Sequence, residues 1–442
     1  MRKRRGPLDL DRATGNGHAV PVVVTGVGPI SAIGCGAEEF WESLLAGRHG
    51  FGSITLCDAS RSPSKIAAEV AGFDLGRYVP RGGALARQLP RPVQFALAAA
   101  ALALEDSGLV PGRFHAGRVG VWAGTSLGNA FEGLSARDRW VRGDAGYPSD
   151  SAFRLFHHSA ACVLSSYFDL RGPVQTSSTG CNSGLDALGQ ALRLVQRNEV
   201  DAMLVVGTDC EVIPEILAIL CASDSLTTRY NDDPGRASRP YDLDRDGNVV
   251  GEGAAAVVLE SEPHARARGG HTYARVAGYA SRAAGGHRRY SARAPAIDLG
   301  ACASALRAAM AEAGWKRGDV DVINANGSSS VIYDRVEGLA LTEVFGDALA
   351  GVRVHSVKSM LGQHGAGTSA LQVVAACLAI DRGTVPPTIN HERRDPACGA
   401  IRVVADPEPT TRPNVLVHSI GLGGFYYSCG AFGSTERKEG EA

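Results

Sequence analysis

The sequence predicts an α/β protein built by duplication, with mainly parallel or mixed sheets. Three observations predict it. The chain has 442 residues, more than one ordinary core accommodates. Short β-branched runs alternate with alanine- and leucine-rich helical patterns, as in strands joined by crossover helices. The element order of the first half then returns in the second.

Taken in order, VPVVVTGVG (20–28) is a buried strand ending in glycines, and EEFWESLLAG (38–47) has helical spacing and a glycine stop. PVQFALAAAALALEDSG (92–108) is a stronger helix: proline opens it, alanine and leucine fill it, and Gly108 closes it. RVGVWAGTS (118–126) is a strand. GLDALGQALRLVQRN then leads as a helix into strand DAMLVVGT (201–208). The echo follows. DLGACASALRAAMAEAG (298–314) is a helix closed by glycine, VDVINANGS (320–328) is a strand running into a small polar loop, and TSALQVVAACLAIDRG (368–383) leads to VPPT. The join falls near 260–275, where SEPHARARGGHTY turns polar. The expected organisation is a disordered arm at 1–20, halves at 21–265 and 266–434, and a disordered tail at 435–442. No low-complexity linker separates the halves, so they are expected to pack as one body.

Composition excludes several functions. Apolar residues make up 44% of the chain, enough for a soluble core, and the net charge of −1 offers no field for nucleic acid or acidic membranes. No apolar run approaches the roughly 20 residues of a spanning helix. The basic start lacks the apolar stretch of a secretory signal, so the expected location is cytoplasmic. Ten cysteines without a C-x-x-C point away from a disulfide framework and from a zinc site; most are expected to be small buried hydrophobes.

Cys181, in SSTGCNSGLDALGQAL (177–192), is the candidate nucleophile. The following helix would put its sulfur at unpaired N–H groups and a positive dipole end, which lowers a thiol pKa and supplies oxyanion donors. Gly180 and Gly184 permit close approach of a substrate. The plain alternative is a structural cysteine at a tight turn. Ser126 is the rival: AGTSLG contains G-x-S-x-G after a strand, although a weak helix start follows it. His364 lies in a glycine-rich loop before a helix; His157 and His158 are adjacent and make a poor metal pair.

Several long segments, in order from about Val22 to Phe432, resemble the β-ketoacyl carrier-protein synthases of the thiolase-like superfamily, especially the bacterial type II polyketide kind. They are VVVTGVGPISAIG, GTSLG, STGCNSGLDALGQAL, NDDPGRASRPYDLDRDGNVVGEGAAAVVLE, VKSMLG and IGLGGF. The resemblance implies a duplicated fold with αβαβα layers and makes AGTSLG a structural loop. It implies that Cys181 accepts an acyl group from the phosphopantetheine arm of an acyl or peptidyl carrier protein, with no other cofactor and no metal. The oxyanion hole would be the N–H groups of Cys181 and Leu422, the latter where relatives usually carry a gating phenylalanine. Lys358 and Glu337 match a buried pair supporting the site. Ser328 and Ser330, with Leu422 and Gly423 of the GLGG loop, match the pantetheine contacts. A homodimer paired through the strand near GPVQTSS (172–178) is expected, with a heterodimer of homologous subunits as the alternative.

The departures carry the functional expectation. Decarboxylating relatives have a histidine in a motif resembling A-H-G-T-G-T; here ANGSSS puts Asn326 there. A second histidine, in a motif resembling K-S-M-x-G-H, is Gln363, with His364 one place later. A one-residue shift of that loop would bring His364 into place. Amides donate hydrogen bonds but exchange no proton near neutral pH. Decarboxylative extension is therefore expected to be impaired, while acyl loading on Cys181 is kept. The expected function is non-decarboxylative C–C bond formation within one loaded chain. This is an aldol cyclisation, with lactone-forming release as a further step, similar to the stand-alone ketosynthase-like cyclases that form γ-lactam-β-lactone warheads of the salinosporamide type. His364 is the candidate base, with a capping or packing role as its plain alternative, and Asn326 and Gln363 are the candidate hydrogen-bond donors to the enolate or ketone. The alternatives are a chain-extending synthase with a partner subunit and a non-catalytic chain-length-factor-like subunit.

Overall fold

The computed structural model describes residues 19–109, 115–144, 151–285 and 297–435. The expected arm and tail fall almost entirely outside these residues. Counting only the elements of the repeated core, the first half runs β1 (Val22–Ser31), α1 (Arg91–Ser107), β2 (Val119–Gly124), β3 (Val174–Ser177), α2 (Ser183–Gln196), β4 (Ala202–Cys210) and β5 (Val250–Ser261). The second runs β6 (Ala274–Ala283), α3 (Leu299–Ala313), β7 (Val322–Asn324), α4 (Val331–Phe345), β8 (Arg353–His355), α5 (Gly365–Arg382), β9 (Val415–Ile420) and β10 (Tyr426–Gly433).

The sheet order displays the duplication. From the centre outward the first half reads β1-β5-β4-β2-β3, and the second reads β6-β10-β9-β7-β8. In each half the outer three strands are parallel and the inner pairings antiparallel. The sheet is therefore mixed, with its parallel part away from the join. The halves meet where β1 pairs with β6, Val23 opposite Arg275 and Val24 opposite Ala274.

Helices make the layers. The apolar stripe of α1 covers β1, β4 and β5, and α3 covers β6 and β10. Between the halves, α2 and α5 pack together and touch strands of both. Helix α5 is buried from Gly365 to Ile380, which fits its apolar composition on every side. Gly108 and Gly314 close α1 and α3 in the left-handed conformation, at φ of 66° and 72°, as the sequence predicts. Among the described residues no helix is long and apolar enough to cross a membrane.

The duplication has one consequence for the site. The parallel strands of both halves end in the same region, and in such sheets the loops beyond the carboxyl ends form the natural crevice. Here they are the loops after β3, β4, β7, β8 and β9. The approach is close: a Cβ on Gly184 would lie 2.4 Å from the Ala366 carbonyl oxygen at the start of α5. Gly184→Ala is expected to push α2 and α5 apart, costing about 1–3 kcal/mol as overpacking does. A thermal melt reads this directly, and an unchanged melting temperature would show that the helices have room to spare.

Candidate active site

Cys181 sits on the turn between β3 and α2, one residue before the helix's N-cap, Asn182. Gly180 takes φ 64°, a left-handed turn residue that brings the sulfur to the helix start. The turn is fixed by hydrogen bonds. Ser183 Oγ donates to the Gly180 carbonyl and accepts from Thr179 N–H, at 2.6 and 2.7 Å. Asn182 donates to Ser428 Oγ and accepts from Ser419 Oγ, tying the loop to β10 and β9.

The sulfur faces a cleft of about 500 Å³, counting its open mouth. Glu211, Leu220, Asn248, Asn326, Ser328, Tyr333, Gln363, Ile420 and Leu422 line it with Cys181, and the buried Oδ1 of Asn248 has no partner among the described residues. The backbone N–H of Leu422 is aimed at the sulfur and favours its thiolate, as does the Lys358 ammonium. These are outweighed. Burial, then the Glu211 carboxylate, push the Cys181 thiol up to about 11. The expected depression by the helix terminus is thus overturned, because desolvation of the charged form exceeds what the local dipoles return.

Asn326 stands at the end of β7. Its Oδ1 accepts from Lys358 Nζ at 2.7 Å and from the Ile420 N–H at 3.0 Å. With the oxygen so occupied, the amide nitrogen is the end left to the cleft, and it can only donate. Lys358 is fully buried, and desolvation brings its ammonium down to about 8.

Lys358 and Glu337 do not pair directly, contrary to the expectation. Glu337 is saturated: it accepts from the Asn326 and Gly327 N–H groups, from Tyr241 Oη and from His418 Nδ1, all within 2.8 Å. It supports the site by clamping the backbone under Asn326. Four donors, led by His418 among the hydrogen bonds, hold it below the ordinary carboxylate value even though burial pushes the other way.

The two expected imidazole positions resolve differently. Gln363 lines the cleft, its backbone stitched to the start of β5 by bonds to Val249 and Gly251. His364 does not line it. Its ring is buried behind the cleft against Gly253 and Gly367, its nitrogens lack partners, and burial with the Lys358 charge holds it down at about 3. A one-residue shift into the catalytic place is therefore not what the loop adopts, and a base so weak is a poor proton acceptor.

Of the pantetheine candidates, Ser328 and Leu422 reach the cleft, and Leu422 is 41% exposed at its mouth. Ser330 instead caps α4, accepting from Tyr333 N–H, and the Gly423 N–H donates to Tyr333 Oη. Ser126 is not among the lining residues. The Ser126 and Leu127 N–H groups, Thr125 Oγ1 and the Ala366 N–H all donate to Asp209, which locks AGTSLG onto the start of α5.

Glu211 is the residue that sequence reasoning missed. It follows β4, is buried, and among the described residues its carboxyl makes no hydrogen bond. Burial first, then Asp209, raise it well above the ordinary carboxylate range. With four donors on Asp209, the negative charge belongs there and the shared proton on Glu211. The available signal was its place just past the carboxyl end of a predicted parallel strand.

The family model described as β-ketoacyl synthase, N-terminal domain, matches residues 19–265, and its C-terminal counterpart matches 273–392. The chain belongs to the β-ketoacyl synthase family. It is 36% identical over 413 residues to the tetracenomycin polyketide synthase ketoacyl synthase alpha subunit of Streptomyces glaucescens, covering 91% of this chain and 95% of that one. It is 35% identical over 412 residues to the 3-oxoacyl-[acyl-carrier-protein] synthase 2 of Coxiella burnetii, covering 91% and 96%. The solved ishigamide ketosynthase/chain length factor superposes with a TM-score of 0.85 at 30% identity, over 95% of this chain and all of that one. A ketosynthase in complex with its type II acyl-carrier protein superposes with a TM-score of 0.84 at 28% identity, over 95% of this chain and all of that one. The fold is thus the duplicated thiolase-like one, and the family is one of condensing enzymes.

The electrostatics of Cys181 can be titrated. Alkylation of Cys181 by iodoacetamide, followed by peptide mapping against pH, is expected to rise with a midpoint well above that of an ordinary thiol. Glu211→Gln removes a charge that opposes the thiolate and should move the midpoint down. A wild-type midpoint at or below the ordinary thiol value would contradict this account of the cleft.

Proposed function

We propose that the protein loads a carrier-protein-bound acyl chain on Cys181 and then joins two carbons of that chain without decarboxylation, closing a ring by an intramolecular aldol step. The observation that carries this reading is the composition of the cleft: Cys181, the amides Asn248, Asn326 and Gln363, no imidazole among the lining residues, and a buried carboxyl, Glu211, whose pKa is raised.

Glu211, when ionised, takes the Cys181 thiol proton. The sulfur attacks the thioester carbonyl, and the oxyanion is held by the Cys181 and Leu422 N–H groups. The pantetheine sulfur leaves with the proton held by Glu211. The carboxylate next removes the proton beside the new thioester, and the amide nitrogens of Asn326 and Gln363 donate to the enolate oxygen. The enolate carbon attacks a ketone of the same chain. The alkoxide either recovers the proton from Glu211 or attacks the thioester, expelling the Cys181 thiolate as a lactone forms. A carboxyl with a raised pKa suits this role, since a base works best near the operating pH.

A second reading, decarboxylative extension with a partner subunit, is supported by the similarity to type II synthases. The partner surface in either reading is β3, an end strand of the sheet with one neighbour and a half-exposed face. We propose that it pairs with its counterpart in a second copy.

Intact-protein mass spectrometry with a panel of acyl thioesters tests loading: Cys181→Ala should abolish both adduct and product. Glu211→Gln should slow turnover by about 10²–10⁴, and the acid limb of its rate–pH profile should disappear. Wild-type protein should release little carbon dioxide from malonyl carrier protein, and Asn326→His should raise that release. Fast release by the wild type would favour the second reading, and turnover by Cys181→Ala would remove covalent catalysis altogether.

A further inference from the structure

From Ala370 to Ile380 helix α5 is apolar but for one long polar side chain, Gln372, which is fully buried. A polar group so placed needs partners. Four oxygens surround its amide nitrogen: the Ala325 carbonyl at 2.9 Å, the His418 carbonyl at 3.1 Å, and the carbonyl and Oδ1 of Asn324, both at 3.4 Å. Asn324 returns a bond, its Nδ2 donating to the Gln372 carbonyl at 3.1 Å. The orientation of the Gln372 amide is forced, because its oxygen in the same place would face four others.

This cage is mismatched to an amide. An NH2 group has two protons to offer four acceptors. The Gln372 oxygen, Oε1, is buried and has no partner among the described residues. Converging neutral carbonyls suit a monovalent cation, whose hydration shell they replace. The position of the cage ties it to the site. Asn324 ends β7, and Ala325 leads directly to Asn326. His418 lies on β9, four residues before Leu422. The nitrogen therefore clips two strand ends together, one bearing the cleft amide and the other leading to the oxyanion loop. The bond from Ile420 N–H to Asn326 Oδ1 joins the same two ends.

We propose that Gln372 is a positioning residue: its amide nitrogen takes the place of a monovalent cation in this cage, and so fixes Asn326 and the Leu422 N–H for the reaction at Cys181. The native protein then needs no small cation here. A carboxylate at 372 would instead set a buried negative charge among four oxygens, and a sodium or potassium ion would have to enter to neutralise it. The inference concerns the frame of the site and holds whichever carbon–carbon step follows loading.

The experiment follows Cys181 acylation by the N-acetylcysteamine thioester of hexanoate, by intact mass, in choline, sodium or potassium chloride of equal ionic strength. Choline is too large to enter a buried cage. Wild-type protein is expected to load at the same rate in all three salts. Gln372→Leu should load about tenfold more slowly in each of them, since the clip is gone. Gln372→Glu should be about tenfold slower than wild type in choline. It should recover as sodium or potassium is added, with its melting temperature rising over the same range. A glutamine that merely fills space would give no such salt dependence. A wild-type rate that depends on sodium or potassium overturns the inference, as does Gln372→Glu protein that is equally slow, or equally unfolded, in all three salts. Wild-type loading by Gln372→Leu removes the positioning role. Should Gln372→Leu fail to fold, the salt comparison between wild type and Gln372→Glu decides.

Discussion

The site depends on one buried contact, the Lys358 ammonium on the Asn326 amide oxygen. A buried cation requires a partner, and a neutral amide gives it a dipole but no full charge. That explains why Lys358 sits near 8, not at its ordinary value. The same contact fixes which end of Asn326 meets the substrate. An imidazole at this place could exchange protons; an amide locked by its oxygen can only donate. Geometry is retained and one kind of chemistry is removed.

Two neighbouring carboxyls carry raised pKa values beside it. Asp209 and Glu211 lie two residues apart at the end of β4, too close for both to ionise easily. Asp209 collects four donors, including the first amides after Thr125 and the Ala366 N–H of α5, so it is the structural anion. Glu211 keeps the proton and the cleft. Burial pushes both the Cys181 thiol and the Glu211 carboxyl toward their neutral forms. The thiolate and the Glu211 carboxylate are therefore both costly to form, and the two groups titrate as one unit.

Much of this was legible in the sequence. The helices at 92–108 and 298–314, their glycine stops and the strand before each polar loop follow from local propensity, and each lies within a few residues of its predicted bounds. The duplication was visible as an echo of element order. The long antiparallel strands β5 and β10 were not, because runs buried along nearly their whole length carry no period. Cys181 and Leu422 were found as motif positions. Glu211 was not, because its place is tertiary: its carboxyl joins the cleft only when β4 and the cysteine turn come together. His364 failed for the converse reason. Its sequence neighbourhood looks catalytic, but the glycines at 253 and 367 make room for its ring away from the substrate.

Magnitudes decide whether such a cleft can form a C–C bond at all. Losing two acid–base imidazoles costs about 10²–10⁴ each, or about 5–11 kcal/mol together at about 1.4 kcal/mol per decade. A bimolecular extension with malonyl carrier protein has no way to recover that. A chain that carries both its carbon nucleophile and its ketone, held by a thioester at one end, gains about 7–11 kcal/mol from orientation alone. The two ranges overlap between about 7 and 11 kcal/mol. The ring-closing reaction proposed for this cleft therefore starts with its partners already joined.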